Sequence, residues 1–419
     1  MRIALATVGT TGDVVPFAAL ARGLAREGHS VTAISWELHR GAFEAANASF
    51  AAAGPPTTWQ DIAQTAHRAA GATSPLDQVA VLRDFHLRDA VAHYRRLCEL
   101  LPGHDLVLLH GIHSLAEAAA RDLDMRWASA VFDPVLMPTS TAGPAGMATL
   151  GPANRFAWWM LDRMLRRQDG PLRAALSEAG SASATKVTMF RARSRLAHLV
   201  ACSPTIAPPP RDLPAEAHFT GAWTDATAPT PLPAEVAHFL AAGSPPVVVT
   251  FGSMAAPDPG GLTESVIAGV RLAGQRVVVQ AAGLTVEPAN DLLATGRLDH
   301  RALFPRAAVV VHHGGAGTAH TVVAAGIPSV VVPHVGDQPF WATRLHRLGV
   351  AAEPLSIKAV TAERIRDRIA VAMKDPVPAR ARAVGARVAS EMGVAYAIAV
   401  LEAAAAGLRA GTERTLRHR

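Results

Sequence analysis

The sequence predicts an α/β fold of two doubly wound domains, each a parallel sheet covered by helices on both faces. Three observations predict it. Short, continuously apolar runs alternate with Ala/Leu/Arg-rich helical stretches, as expected of strands buried on both faces. The alternation stops at residues 207–235, which hold Pro208, Pro209, Pro210, Pro214, Pro229, Pro231 and Pro233, and then restarts; this stretch reads as a linker or boundary. The length of 419 residues suits two or three domains at roughly 150 residues each.

In the first half, Arg2–Ala6 reads as a strand, Pro16–Arg26 as a helix and Ser30–Ser35 as a second strand. Further strands fall at Leu106–Leu109, Trp127–Phe132 and Leu196–Ala201. Leu136–Gly151, rich in Pro, Gly, Thr and Ser, reads as a loop. Asn154–Arg167 follows with Phe156, Trp158, Trp159, Met160, Met164 and Leu165. Two adjacent Trp cannot share one core-facing stripe of a helix, so this segment is either core with partial exposure or an apolar ligand wall. Beyond the linker, strands are expected at Val247–Phe251, Val277–Gln280, Ala308–His312 and Ser329–Val332, with helices between, and one tail helix over about Ala379–Leu408.

Composition excludes several classes. Half the residues are hydrophobic and 18% charged, with a mean hydropathy of +0.19; this is material for cores rather than for a disordered chain. Two cysteines, Cys98 and Cys202, are too few for a disulfide framework or a Cys-based zinc site. The net charge is +6, but only Lys186, Lys358 and Lys374 are lysines among the 40 basic residues, and no dense basic tract marks a nucleic-acid partner. No uninterrupted apolar run reaches membrane-spanning length and no signal-peptide pattern opens the chain, so a cytoplasmic protein without a transmembrane segment is expected.

The strongest local pattern is Val309-Val310-Val311-His312-His313-Gly314-Gly315-Ala316-Gly317-Thr318, an apolar strand, a glycine turn and a helix start. Free N–H groups and the helix dipole favour an anion there; His313 can donate to a phosphate oxygen and Thr318 can add a hydroxyl. The same residues also fit a plain strand-to-helix turn. The next strand ends at Pro333-His334-Val335-Gly336-Asp337-Gln338, on the edge where open parallel sheets bind ligands. Asp337 and Gln338 suit a polyol, or Asp337 caps the following helix. Near the N-terminus, Thr7-Val8-Gly9-Thr10-Thr11-Gly12-Asp13-Val14-Val15-Pro16 is another glycine turn before a helix, with Asp13 at its mouth as a functional carboxylate or as an N-cap. Asp122-Leu123-Asp124 matches a D-x-D metal motif but lies away from any glycine turn and reads as surface charge.

The stretch Val311–Gln338, continuing through Pro339-Phe340-Trp341, resembles the donor-binding signature of the nucleotide-sugar-dependent glycosyltransferases of family 1, most of all their microbial sterol-glucosyltransferase and antibiotic-tailoring branch. His313 and Asp337 stand 24 residues apart, the family's separation of phosphate-binding His and sugar-binding acid. Thr250-Phe251-Gly252-Ser253 and Gly12-Asp13-Val14-Val15-Pro16 resemble two further family segments. The resemblance implies a GT-B fold: two facing Rossmann-like doubly wound domains with an interdomain cleft. An acceptor domain would span 1–215 and a donor domain 222–395, with a C-terminal helix, 396–419, crossing back to the first.

The resemblance further implies an inverting transfer of a hexose from a UDP- or dTDP-sugar to a hydroxyl of an apolar natural product, sterol or lipid. Asp13 would be the general base. Ser253, His300, His313, Gly315, Gly317, Thr318, Asp337 and Gln338 would bind the donor, and Thr10, Phe156, Trp158, Trp159 and His334 the acceptor. No metal and no cofactor beyond the nucleotide sugar are implied, and a monomer or homodimer is expected. Two departures stand out: no Trp occurs near Thr295-Gly296-Arg297, where plant members stack uracil, and Thr321 replaces the ribose-binding Glu. A hydrolysing epimerase, or a non-catalytic sugar-nucleotide-binding protein, is the alternative on the same fold.

Overall fold

A computed structural model describes residues 1–72, 74–140, 143–144, 150–252, 261–280 and 289–407. The chain divides into two compact units. The first comprises residues 1–204, 208–226 and 392 onward; the second comprises 205–207 and 227–391.

The first unit is built on β1 (Arg2–Ala6), β2 (Ser30–Ser35), β3 (Ser49–Ala52), β4 (Leu106–His110), β5 (Trp127–Val131), β6 (His198–Val200) and β7 (Ala217–Phe219). They form one parallel sheet in the order β3-β2-β1-β4-β5-β6-β7. The second unit holds β8 (Val247–Thr250), β9 (Val277–Gln280), β10 (Leu292–Thr295), β11 (Val309–His312) and β12 (Ser329–Val331). These pair in parallel in the order β10-β9-β8-β11-β12. In each sheet the strand order reverses once, between β1 and β4 and between β8 and β11. Ligands of doubly wound sheets bind at such reversals, outside the carboxyl ends of the strands.

The Val runs explain the second sheet. Val247, Val249, Val277, Val279, Val309 and Val311 share one core with Val266, Ile365 and Ile369 of two covering helices. Val248, Val278 and Val310 are equally buried, as the two-residue period of a strand covered on both faces requires.

Three differences from the sequence reading have physical causes. The first helix runs over Thr11–Arg26 with Pro16 inside it, not from Pro16; the proline sits in the second turn, where it removes one backbone hydrogen bond, and the capping box at Thr10 starts the helix ahead of it. Strand β7 lies within the proline-rich stretch, because three residues are too few to show a period. The expected single tail helix is two, Val377–Ala389 and Gly393–Ala405, split between the units. A Cβ on Gly393 would stand 2.1 Å from the Ala222 carbonyl oxygen, so only glycine allows the second of these helices to seat there. By length and composition the stretch Val377–Ala405 is apolar enough to cross a membrane, with a mean hydropathy of 1.4 over its best window, although the break at 390–392 interrupts it.

Candidate active site

In the first unit the site is assembled at the sheet's reversal. After β1 the chain passes through Thr7 and Val8 to Gly9, whose φ is +121°. A Cβ at Gly9 would sit 2.4 Å from Asp13 Oδ2, so this glycine both makes the turn and leaves room for the carboxylate. Thr10 is the N-cap of the Thr11–Arg26 helix, and Asp13 is its third helical residue. Asp13 Oδ2 accepts the Thr10 N–H at 2.7 Å and the Thr10 hydroxyl at 2.9 Å. This is a capping box that uses one carboxylate oxygen. The other oxygen, Oδ1, lies 3.7 Å from His110 Nε2.

His110 ends β4, the strand beside β1, and is almost wholly buried. Its Nδ1 is 3.3 Å from both the Val8 carbonyl and the Thr7 hydroxyl. A carbonyl only accepts, so Nδ1 carries the proton there and Nε2 offers a lone pair toward Asp13. Burial lowers the His110 pKa, partly countered by the Asp13 charge. Phe17 and Phe132 wall the ring at 5.6 and 5.0 Å between centroids. Just past β5, Asp133 accepts the Val135 N–H at 2.8 Å. Burial, with the Asp13 charge adding to it, raises the Asp133 carboxyl to about 6. Sequence reasoning did not single out Asp133: nothing local marks it, and only the sheet brings β5 toward Asp13.

In the second unit β11 delivers His313 to the corresponding reversal. The His313 ring is held between two glycines: a Cβ at Gly252 would come within 2.8 Å of its Cε1, and one at Gly315 within 2.5 Å of its Nε2. Burial, with a contribution from His334, lowers the His313 pKa to about 3, so the ring is neutral at pH 7. A backbone contact with Thr250 partly offsets this lowering. The Ala316–Ala324 helix begins at N-cap Gly315 with no side-chain cap, which leaves its first N–H groups for a ligand. A Cβ at Gly317 would meet open space, and Thr318 is half-buried on the same first turn. Thr321 bonds its own helix through the Gly317 carbonyl at 2.8 Å.

The remaining candidates carry structural contacts of their own. Asp337 precedes the Gln338–Arg347 helix without capping it; its Oδ2 accepts the buried Trp341 indole N–H at 2.7 Å. Gln338 is buried, and its side-chain carbonyl accepts the N–H groups of His334 and Val335 at 2.8 and 3.1 Å, which fixes the turn. His334 lies 6.4 Å from His313 between ring centroids. His300 donates from Nε2 to Gln280 Oε1 at 2.6 Å and stacks on Phe304 at 4.3 Å. Ser253 lies outside the described residues. Trp158 is buried, whereas Phe156 and Trp159 are exposed. Asp122 is no mere surface charge: it accepts hydrogen bonds from the Tyr94 and Ser181 hydroxyls. Among the described residues, no group of three or more His, Cys, Asp or Glu is arranged to hold a metal ion.

Comparison with known proteins agrees with this architecture. Residues 3–50 match the glycosyltransferase family 28 N-terminal domain, and residues 274–397 match the C-terminal domain of the erythromycin biosynthesis protein CIII-like family. The chain is 34% identical to O-mycaminosyltylonolide 6-deoxyallosyltransferase of Streptomyces fradiae, over 96% of this chain and 97% of that one. It is 31% identical to sterol 3-beta-glucosyltransferase UGT80A2 of Arabidopsis thaliana, over 49% of this chain and 33% of that protein. Among solved structures, the glycotransferase of kitacinnamycin superposes with a TM-score of 0.72 at 20% identity, covering 96% of this chain and 98% of that one. Glycosyltransferase VinC in complex with DTDP superposes with a TM-score of 0.66 at 19% identity, covering 97% and 100%. With two parallel-sheet α/β domains of the GT-B class and 34% identity to a named transferase over nearly the full length of both, the chain is an enzyme and belongs to the glycosyltransferase family that contains the antibiotic-tailoring and sterol glycosyltransferases.

Proposed function

We propose that the enzyme transfers a hexose from a nucleoside diphosphate sugar to a hydroxyl of an apolar natural-product, sterol or lipid acceptor, with inversion and without a metal. The carrying observation is the Asp13–His110 pair. One oxygen of Asp13 is fixed by Thr10, and the other lies 3.7 Å from a buried imidazole lone pair. The acceptor oxygen attacks the anomeric carbon as the bond from that carbon to the diphosphate oxygen breaks. The acceptor proton passes to Asp13 Oδ1, with His110 Nε2 as the neighbouring base that can share it. An alcohol is a poor nucleophile unless its proton leaves as the new bond forms.

The departing diphosphate is served by the uncapped start of the Ala316–Ala324 helix, including the Gly317 and Thr318 amides, and by neutral His313 as a hydrogen-bond donor. The DTDP named in the VinC structure supports a UDP- or dTDP-linked donor, and the names of the relatives support the acceptor class. In this reading Asp337 recognises sugar hydroxyls, His300 lies beside the base, Gln338 and His334 shape the donor loop, and Thr10 and Trp158 belong to the acceptor side.

The test is Asp13→Asn. Asn keeps an oxygen for both Thr10 bonds, so folding and donor affinity should hold while kcat falls by about 10²–10⁴-fold. Near-wild-type turnover would remove Asp13 as the base. Nucleotide release measured with and without an alcohol acceptor separates transfer from hydrolysis.

A further inference from the structure

The Asn154–Arg166 helix turns two different faces to its surroundings. Asn154 and Trp158 are buried, and Leu161 and Leu165 are half-buried on the same side. On the opposite side Phe156 and Trp159 are 59% and 55% exposed, and Met160 and Met164 are exposed with them. At about 100° per residue these four fall within one arc of the helix. Phe156 and Trp159 stack on each other at 5.6 Å, so the stripe is an ordered apolar surface rather than scattered single residues.

The stripe is also basic. The Arg163 guanidinium lies over the Trp159 ring, 6.0 Å from its centroid, inside the same arc. Arg155, Arg166 and Arg167 are exposed around it. Residues 154–173 hold five Arg and two Asp, and one of those aspartates, Asp169, is buried. Trp, Phe and Met on the outer face with arginines among and beside them is the composition of a helix that lies in a membrane interface, where long Arg side chains reach the headgroups.

Two other occupants fit less well. Small-molecule sites are concave, whereas this is the convex face of one helix. A twofold pairing with a second copy would bring the arginines of one stripe up against those of the other, because such an interface is self-complementary.

We propose that this face docks the enzyme on an anionic lipid surface. Phe156, Trp159, Met160 and Met164 would enter the boundary between headgroups and acyl chains, and Arg163 and Arg167 would engage lipid phosphates. Phe156 and Trp159, expected from sequence as walls of the acceptor site, would then serve to bring the enzyme to where an apolar acceptor partitions. The proposal rests on exposure and charge and does not require the assignment of Asp13.

The experiment is cosedimentation of the full chain with vesicles of phosphatidylcholine alone and of phosphatidylcholine mixed with phosphatidylglycerol, at low and high salt. Wild type should sediment with the anionic vesicles at low salt and be released at high salt. Arg163→Glu with Arg167→Glu should weaken partitioning at least about tenfold, and Met160→Glu with Met164→Glu should abolish it. Thermal melting of each variant checks the fold, which these exposed positions should leave intact. Failure of wild type to bind anionic vesicles, or wild-type binding by both folded variants, would overturn the proposal. So would a wild-type dimer that these variants convert to monomer, which would assign the face to a second copy. A raised acceptor KM in Trp159→Ala with vesicle binding unchanged would return the stripe to the acceptor site.

Discussion

Gly315→Ala is the sharpest probe of the donor half of the site. Gly315 has φ −60° and ψ 145°, a conformation open to any residue, so the substitution introduces no backbone strain. Its effect comes from the new methyl, which would stand 2.5 Å from His313 Nε2 and displace the ring. If His313 donates to a diphosphate oxygen, the enzyme loses one hydrogen bond to a charged group, worth about 1.5–3 kcal/mol. That corresponds to a roughly 10- to 150-fold weaker Kd for the nucleoside diphosphate. His313→Ala should weaken binding similarly. The double variant should be little worse than either single one, because the methyl acts only through a ring that is no longer there. The assay is calorimetric titration of UDP and dTDP into all four proteins, with thermal melting to confirm folding. Unchanged affinity in Gly315→Ala, or losses that simply add, would refute the account of Gly315 as the floor of the His313 pocket.

Other outcomes follow from the same geometry. Asp13→Ala removes the acceptor of both Thr10 hydrogen bonds and should lower stability by about 0.5–2 kcal/mol, whereas Asp13→Asn should melt near wild type; equal melting of the two would deny the capping box. Asp337→Asn keeps an oxygen for the Trp341 indole and should weaken nucleotide-sugar binding while leaving the bare nucleoside diphosphate unaffected; equal weakening of both would remove Asp337 from sugar recognition. Burial lowers the pKa of His39 and His93 to about 4, and that of His113 falls well below its ordinary value for the same reason and through neighbouring histidines. Since the unfolded state then binds protons first, their contribution to stability is intact above pH 6.5 and is lost as pH falls from 6.5 toward 4, by up to roughly 1.4 kcal/mol per histidine per pH unit; a melting temperature flat between pH 7 and 4.5 would contradict this. Transfer activity should survive dialysis against EDTA, and a loss restored only by magnesium or manganese would overturn the metal-free reading.

Much of the fold was legible because its strands are buried on both faces and therefore spelled in continuous valine. β1, β2 and β9 appear in the sequence with the limits the structure gives them, and the glycine turns after β1 and β11 mark both sheet reversals. Strands β3, β7 and β10 were not legible. Each is three or four residues at or near a sheet edge, too short for periodicity, and each exists because a neighbour offers a ladder of hydrogen bonds. The break at 390–392 was equally silent, since an alanine-rich helix reads continuously until a contact such as that of Gly393 with Ala222 decides where it seats.

The candidate site divides in the same way. Residue types and spacing along the chain nominate Asp13, His313 and Asp337 as candidates, because helix starts and glycine turns are local. What surrounds each is set by residues far away in sequence. β4 places His110 beside Asp13, and β8 sets Gly252 against His313. Burial makes His313 neutral rather than cationic. Helical phase alone separates Trp158, turned inward, from Trp159, turned out. By itself the sequence determined which chemistry stands at the end of each strand, because that depends on local order. Only the tertiary structure decided which groups meet, which are charged and which face solvent, because proximity and desolvation are set by strand order and packing.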